Sequence, residues 1–311
     1  MPAFNAEKYI GNSIQSVINQ SYKEWELIVV DDGSIDETAS IVKKAGSSDQ
    51  RIRYIYQENG KQGKARNNAL KQARGQYVAF LDADDLWVPE KLSRQIESMN
   101  STNADLVFSG FSTFESETSY NHLQNSYPGY YKGISALEKF LTNNYIPILT
   151  VLVKRKAVED VNYFSEKPEI QNGEDYHLWL KLLAAGNMFW GSAESLAYYR
   201  LHNSSATAGN RLVIFQMLAG LKELLMEFPE YEDLIRKSFL KRIDNYICQN
   251  NITDWQTIQQ LLNLKKEVSQ NKKPAFPGKQ VYSILGKRAF RYLYISNHKL
   301  ELLKYRLLNF K

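Results

Sequence analysis

Two apolar runs that each end in a cluster of carboxylates constrain this chain most. Leu27-Ile28-Val29-Val30 leads into Asp31-Asp32-Gly33-Ser34, and Tyr77-Val78-Ala79-Phe80-Leu81 leads into Asp82-Ala83-Asp84-Asp85. Short runs rich in β-branched and aromatic residues read as buried strands. Where such strands lie parallel, ligands bind beyond their carboxyl ends, so five aspartates aim at one crevice. Carboxylates packed together repel, and a divalent cation relieves that repulsion. The pattern therefore predicts a site for a metal-bound, phosphate-containing ligand.

The spacing around these runs predicts alternating strands and helices. Ile10, Ile14, Val17 and Ile18 form one helical stripe over residues 6–20, with Asn5 as its N-cap. Asp36 caps a helix to about Lys44, Ile52–Tyr56 alternates like a strand, and Gly60-Lys61-Gln62-Gly63 opens a helix from Lys64 to Ala73. Pro89 suits a first helical turn. This alternation argues for a parallel α/β sheet with crossovers. Pro2-Ala3-Phe4-Asn5 reads as a strand-to-helix loop, which leaves the first strand of such a sheet missing.

Beyond Ala104 the pattern loosens. Leu106–Phe111, Leu149–Lys154 and Ala197–Leu201 read as strands, Ile134–Asn143 and Glu174–Ala185 as helices, and Ser116–Tyr131 as loop. Leu212–Phe228, Tyr231–Gln249 and Trp255–Val268 then show helical spacing with little Gly or Pro. The expected organisation is an α/β domain over 1–207, a helical appendage over 208–270 and a basic amphipathic tail over 271–311.

Composition sets limits. At 311 residues, with 43% apolar and 23% charged residues, the chain has the make-up of an ordinary globular protein. Its one cysteine, Cys248, excludes an intramolecular disulfide. It offers no run long enough to span a bilayer and no secretory leader, so the reading places it in the cytoplasm. The tail holds ten Lys/Arg against a single acid, Glu301. Such a tail seeks an acidic partner, anionic lipid or nucleic acid, unless it is simply solvated. Phe290, Tyr292 and Tyr294 interleave with the tail's charges, but no recognised nucleic-acid-binding motif accompanies them. An anionic lipid surface at the inner face of the plasma membrane is the expected partner; the competing reading docks the tail's apolar residues onto the helical appendage and leaves its charges solvated.

Six pieces, in order, carry a resemblance: Pro2-Ala3-Phe4-Asn5-Ala6-Glu7; Val30-Asp31-Asp32-Gly33-Ser34; Ala65-Arg66-Asn67; Asp82-Ala83-Asp84-Asp85; Asn172-Gly173-Glu174-Asp175 with Leu178-Trp179; and Tyr199-Arg200-Leu201-His202. Together they resemble the family-2 inverting glycosyltransferases over about residues 1–207. The resemblance implies a GT-A fold, a Rossmann-like nucleotide-sugar-binding sheet.

It also implies roles. Asp84 resembles the ligand of Mg²⁺ or Mn²⁺ on the two phosphates of a nucleotide sugar, with Asp82 a ribose or metal-shell contact. Asp32 resembles the acceptor of the uracil imide N–H, and Ala3 and Asn5 match the first nucleotide-contacting loop. Asp31 is either a neighbour of that contact or a cap. Arg66 either pairs with the diphosphate or holds an aspartate of the site. Asp175 resembles the general base that deprotonates an acceptor hydroxyl, and Glu174 touches the acceptor. His202 resembles a histidine near metal and diphosphate, whereas His122, His177 and His298 match nothing. The expected activity is transfer of a hexose or N-acetylhexosamine from a UDP-sugar to a glycan, lipid-linked acceptor, with inversion, in surface polysaccharide biosynthesis. A sugar nucleotidyltransferase and a non-catalytic nucleotide-sugar or glycan-binding protein stay open beside it. The first should carry a Gly-rich basic loop after its first strand, and the second has no need of Asp175.

Overall fold

A computed structural model describes residues 1–116, 119–202, 213–249 and 255–269. The basic tail, the loop Asn203-Ser204-Ser205 and His298 lie outside the described residues. The chain divides into two compact units, Met1–Leu224 and Leu225–Lys311.

The first unit is α/β. A three-stranded parallel sheet runs in the order β1 (Pro2–Ala3), β2 (Leu27–Asp31), β3 (Ile52–Tyr56). Helices α1 (Ile10–Ile18), α2 (Thr38–Ser48) and α3 (Lys61–Gln72) connect its strands and lead out of it. Pro2 and Ala3, expected in a loop, pair with Val30 and Asp31 as a two-residue strand. Every residue of β2 is buried, as its unbroken apolar run requires.

A second, mixed sheet runs β4 (Tyr77–Ala79), β9 (Val151–Lys154), β6 (Leu106–Ser116), β10 (Phe189–Arg200), β5 (Leu86–Trp87). Between these strands in sequence lie helices α4 (Lys91–Thr102), α5 (Gly133–Thr142), α6 (Arg155–Asp160) and α7 (Glu174–Ala184). The sheet corrects the expectation of parallel strands throughout. Among its paired neighbours only β6 and β10 are parallel, because β9, entering through the short turn Ile148–Thr150, runs against both β4 and β6. Ser116–Tyr131, expected as loop, contributes β7 (Ser119–Asn125) beside β6 and β8 (Gly129–Tyr131) beside β10. Asn5 is not the cap of α1: it adopts φ +47°, and the helix begins only at Ile10.

The two sheets are sewn together by side chains. Ile10, Ile14 and Val17 of α1 pack in one cluster with Val29, Leu81, Trp87, Leu92, Val107 and Leu152. The Met1 ammonium donates to the Ile28 carbonyl at 2.9 Å, beside a cavity of 270 Å³ lined by Leu27, Ile28, Tyr77, Val78 and Leu70.

Helix α8 is Val213–Glu227. In the second unit, α9 (Glu232–Gln249) buries Ile235, Phe239 and Ile243 at a spacing of four, and α10 (Trp255–Val268) buries Ile258 and Leu261. Lys265 joins the two helices by an ion pair to Asp244 at 2.6 Å. Among the described residues no helix is long and apolar enough to cross a membrane.

Candidate functional site

A cavity of about 680 Å³ opens at the carboxyl ends of β1, β2 and β4. Ala3, Asn5, Asp32, Arg66, Asp82, Asp84, Glu174, Asp175 and His202 all line it, so every site residue expected from the sequence meets there. They come from six separate stretches of chain, which is how an α/β sheet builds a site from loops at one edge.

The β2 end is a set of tied turns. Asp31 Oδ1 accepts from the Ser34 N–H at 2.8 Å and Oδ2 from the Tyr54 hydroxyl at 2.7 Å. It therefore caps the turn; burial, then the bond and charge of Asp31, push the Tyr54 phenol up to about 12. Asp32 accepts from Gln57 Nε2 and the Gly60 N–H through Oδ1, both at 2.7 Å, and from the Lys61 N–H through Oδ2 at 2.8 Å. The carboxylate thus pins the start of α3 to the end of β2 and keeps only part of its acceptor capacity for a base. Gly33 sits at φ +83°, with Asn59 packed where a Cβ would stand, so the turn needs glycine. Asn5 Oδ1 accepts from the Ile35 N–H, and the Asn5 N–H donates to Ser34 Oγ, which locks the first loop against the β2 turn.

The β4 end carries three aspartates with three fates. Asp82 pairs with Arg66 at 2.7 Å. Asp84 Oδ2 lies 2.8 Å from His202 Nε2, and the His202 ring rests 5.2 Å from that of Tyr9. Asp85 is buried and accepts from the Arg200 N–H at 2.9 Å, while Arg200 Nε donates to the Asp84 carbonyl. Burial, then the charges of Asp84 and Asp82, push the Asp85 carboxyl well above the usual range. The Arg200 guanidinium is held between the rings of Phe114 and Tyr9, at 4.2 and 4.5 Å.

The opposite side is the start of α7. Glu174 Oε1 accepts from Arg66 Nη1 at 2.5 Å, while Glu174 Oε2 is buried with no hydrogen bond. Asp175 follows on the first turn, where its Oδ1 accepts from the Tyr176 N–H at 2.6 Å. Burial, then the neighbouring Glu174 charge, push its carboxyl up to about 7, against the pull of Arg66 and that N–H. A carboxyl balanced near neutrality can take a proton and release it. Leu178 and Trp179 of the same motif are core: both are fully buried, and Trp179 Nε1 donates to the Ile146 carbonyl. His177 is buried too, and burial, then Lys181 and Lys167, push it down to about 3.

Two contacts set the approach of α3 to α7. A Cβ on Gly63 would lie 2.7 Å from the Ser165 carbonyl, so only glycine lets α3 start this close to that loop. Asn67 clamps the same loop, donating to the Phe164 carbonyl and accepting from the Phe164 N–H, both at 3.0 Å. Tyr9, Gln62, Phe111, Asn144 and Pro147 line the cavity as well. Nothing in their local sequence marks them, because they reach the site only through the tertiary fold.

The donor set fits a divalent metal of one kind. Among the described residues no group of three or more His, Cys, Asp or Glu forms a cage. Asp84 and Asp82 are what an ion needs when phosphates and water supply its remaining oxygens, as with Mg²⁺.

Residues 1–161 match the family described as Glycosyl transferase family 2. A putative teichuronic acid biosynthesis glycosyltransferase of Bacillus subtilis is 35% identical over 212 residues, which is 67% of this chain and 79% of that protein. A UDP-Glc:alpha-D-GlcNAc-diphosphoundecaprenol beta-1,3-glucosyltransferase of Escherichia coli is 34% identical over 237 residues, covering 74% and 85%. Among solved structures, S. aureus TarS 1–349 in complex with UDP-GlcNAc superposes with a TM-score of 0.70 at 19% identity, over 96% of this chain and 90% of that one. A Pyrobaculum calidifontis mannosyltransferase in complex with GDP-Man and Mn²⁺ gives 0.55 at 14% identity, over 95% and 84%. At these identities the two structures show a shared fold.

Proposed function

The chain belongs to glycosyl transferase family 2, and on that premise we propose that it transfers a hexose or N-acetylhexosamine from a UDP-sugar to a lipid-linked glycan, with inversion, in surface polysaccharide synthesis. One observation carries the reading. The carboxylates of Asp82, Asp84 and Asp175 face a single cavity, in which Arg66 bridges Asp82 to Glu174, the neighbour of Asp175. The UDP-sugar and the diphosphoundecaprenol-linked acceptor come from the names of the TarS complex and the E. coli relative.

The chemistry follows from the charges. A diphosphate cannot enter beside Asp82 and Asp84 without a cation between them. Asp84 would hold Mg²⁺ or Mn²⁺, with Asp82 near it, and such an ion would neutralise charge on the leaving diphosphate. His202 orients the Asp84 carboxylate. Asn5, Ala3 and Asp32 shape the nucleotide end. At the other end an acceptor hydroxyl approaches Asp175. Its oxygen bonds to the anomeric carbon as the carbon–oxygen bond to the diphosphate breaks, and the hydroxyl proton passes to Asp175. A single in-line displacement of this kind inverts the anomeric centre. A lipid-anchored acceptor places the reaction at the inner face of a membrane, and the ten basic residues of 271–311 suit anionic headgroups there.

A panel of UDP- and GDP-sugars, assayed for nucleotide release with a diphosphoundecaprenol-linked glycan and Mn²⁺, tests the proposal. Release from a UDP-hexose or UDP-N-acetylhexosamine that depends on acceptor supports it. Release from no UDP-sugar would overturn it.

A further inference from the structure

Arg66 reaches the site from α3 and touches no backbone partner there, only two carboxylates. Its Nη2 donates to Asp82 Oδ1 at 2.7 Å and its Nη1 to Glu174 Oε1 at 2.5 Å. The side chain is 4% exposed and Glu174 5%, while Asp82 at 31% stays open to the cavity. The guanidinium also lies 5.7 Å from the Phe164 ring, on the loop that Asn67 clamps. Its Nε is buried without a hydrogen bond, so the fork has little left to offer a diphosphate.

We propose that Arg66 is a positioning residue that yokes the donor-side Asp82 to the acceptor-side Glu174, and so fixes the place and the charge of the Glu174–Asp175 pair. This rests on reading Asp175 as the base. One guanidinium forked between two carboxylates sets their separation and puts a single positive charge between them. A charged Glu174 next to Asp175 then opposes ionisation of Asp175, and Arg66 itself favours it. The charged groups facing Asp175 are Glu174 on its own helix, Arg66 from α3 and Asp82 from the turn after β4. The arrangement spans 108 residues of sequence and joins the two halves of the site through one side chain.

The yoke makes opposite demands on two substitutions. Glu174→Gln removes the like charge beside Asp175 and keeps an oxygen for Arg66, so Asp175 ionises at lower pH. Arg66→Gln removes the positive charge that favours the ionised form of Asp175, so Asp175 ionises at higher pH. Arg66→Lys keeps the charge but not the fork, and restores part of the wild-type behaviour.

The test is the pH dependence of kcat for transfer, read beside the carboxyl ¹³C titration of Asp175 in aspartate-labelled protein, with Asp175→Asn assigning the signal. We expect the acid limb and the ¹³C midpoint to fall together in Glu174→Gln and to rise together in Arg66→Gln, by roughly one unit or more each. Coincident titrations in wild type and both variants, or shifts of the same sign, would overturn the yoke. If Arg66→Gln does not fold, Glu174→Gln and Arg66→Lys decide the matter: a Glu174→Gln midpoint at or above wild type rejects the proposal. The NMR titration also separates this inference from the assigned activity, because it reads Asp175 whether or not any donor is turned over.

Discussion

His202 Nε2 lies 2.8 Å from Asp84 Oδ2, across 118 residues of sequence. The contact fixes which way the Asp84 carboxylate faces, and partners of this kind govern how well a carboxylate holds a metal. His202→Ala should therefore weaken Mn²⁺-dependent UDP binding roughly 10–100-fold while leaving metal-free UDP affinity nearly unchanged. Calorimetric titrations with and without Mn²⁺ measure both. Equal loss in both conditions would assign His202 to the nucleotide rather than to Asp84.

Gly63 sets the distance between the two halves of the site. An alanine there puts a methyl 2.7 Å from the Ser165 carbonyl, so either the loop or α3 must move. We expect Gly63→Ala to cost about 1–3 kcal/mol in urea unfolding, as overpacking does. It should also lower kcat, because Glu174 Cγ is packed against the same position. Unchanged stability and turnover would mean that the loop yields freely.

Much of this was legible in the sequence because chemistry follows strands here. Asp32 and Asp84 stand directly after apolar runs, and Glu174 and Asp175 at the start of a helix, so local pattern finds them. What local pattern could not show is which carboxylates pair. Arg66 and Glu174 are brought together only by the packing of α3 on α7 around Gly63. Strand β10 reads as shorter than it is because Ser192, Glu194 and Ser195 break its alternation, where its register against β6 also shifts. Strands β7 and β8 lie in a polar, aromatic stretch whose pairing with β6 and β10 is long-range. Asn5 misled as a helix cap because Asn also tolerates positive φ, and that is how it is used.

The central claim is that Asp175 takes the acceptor's proton, and Asp175→Asn measures it most directly. Removing a general base costs a factor of roughly 10²–10⁴ in rate. The variant should bind UDP as the wild type does and lose acceptor-dependent turnover to that extent. It should also be the more stable protein above pH 7, since the wild type must then carry a buried charge at Asp175, and that gap should close below about pH 4. Transfer by Asp175→Asn at near the wild-type rate, with UDP affinity intact, would contradict the account and move the base elsewhere in the cavity.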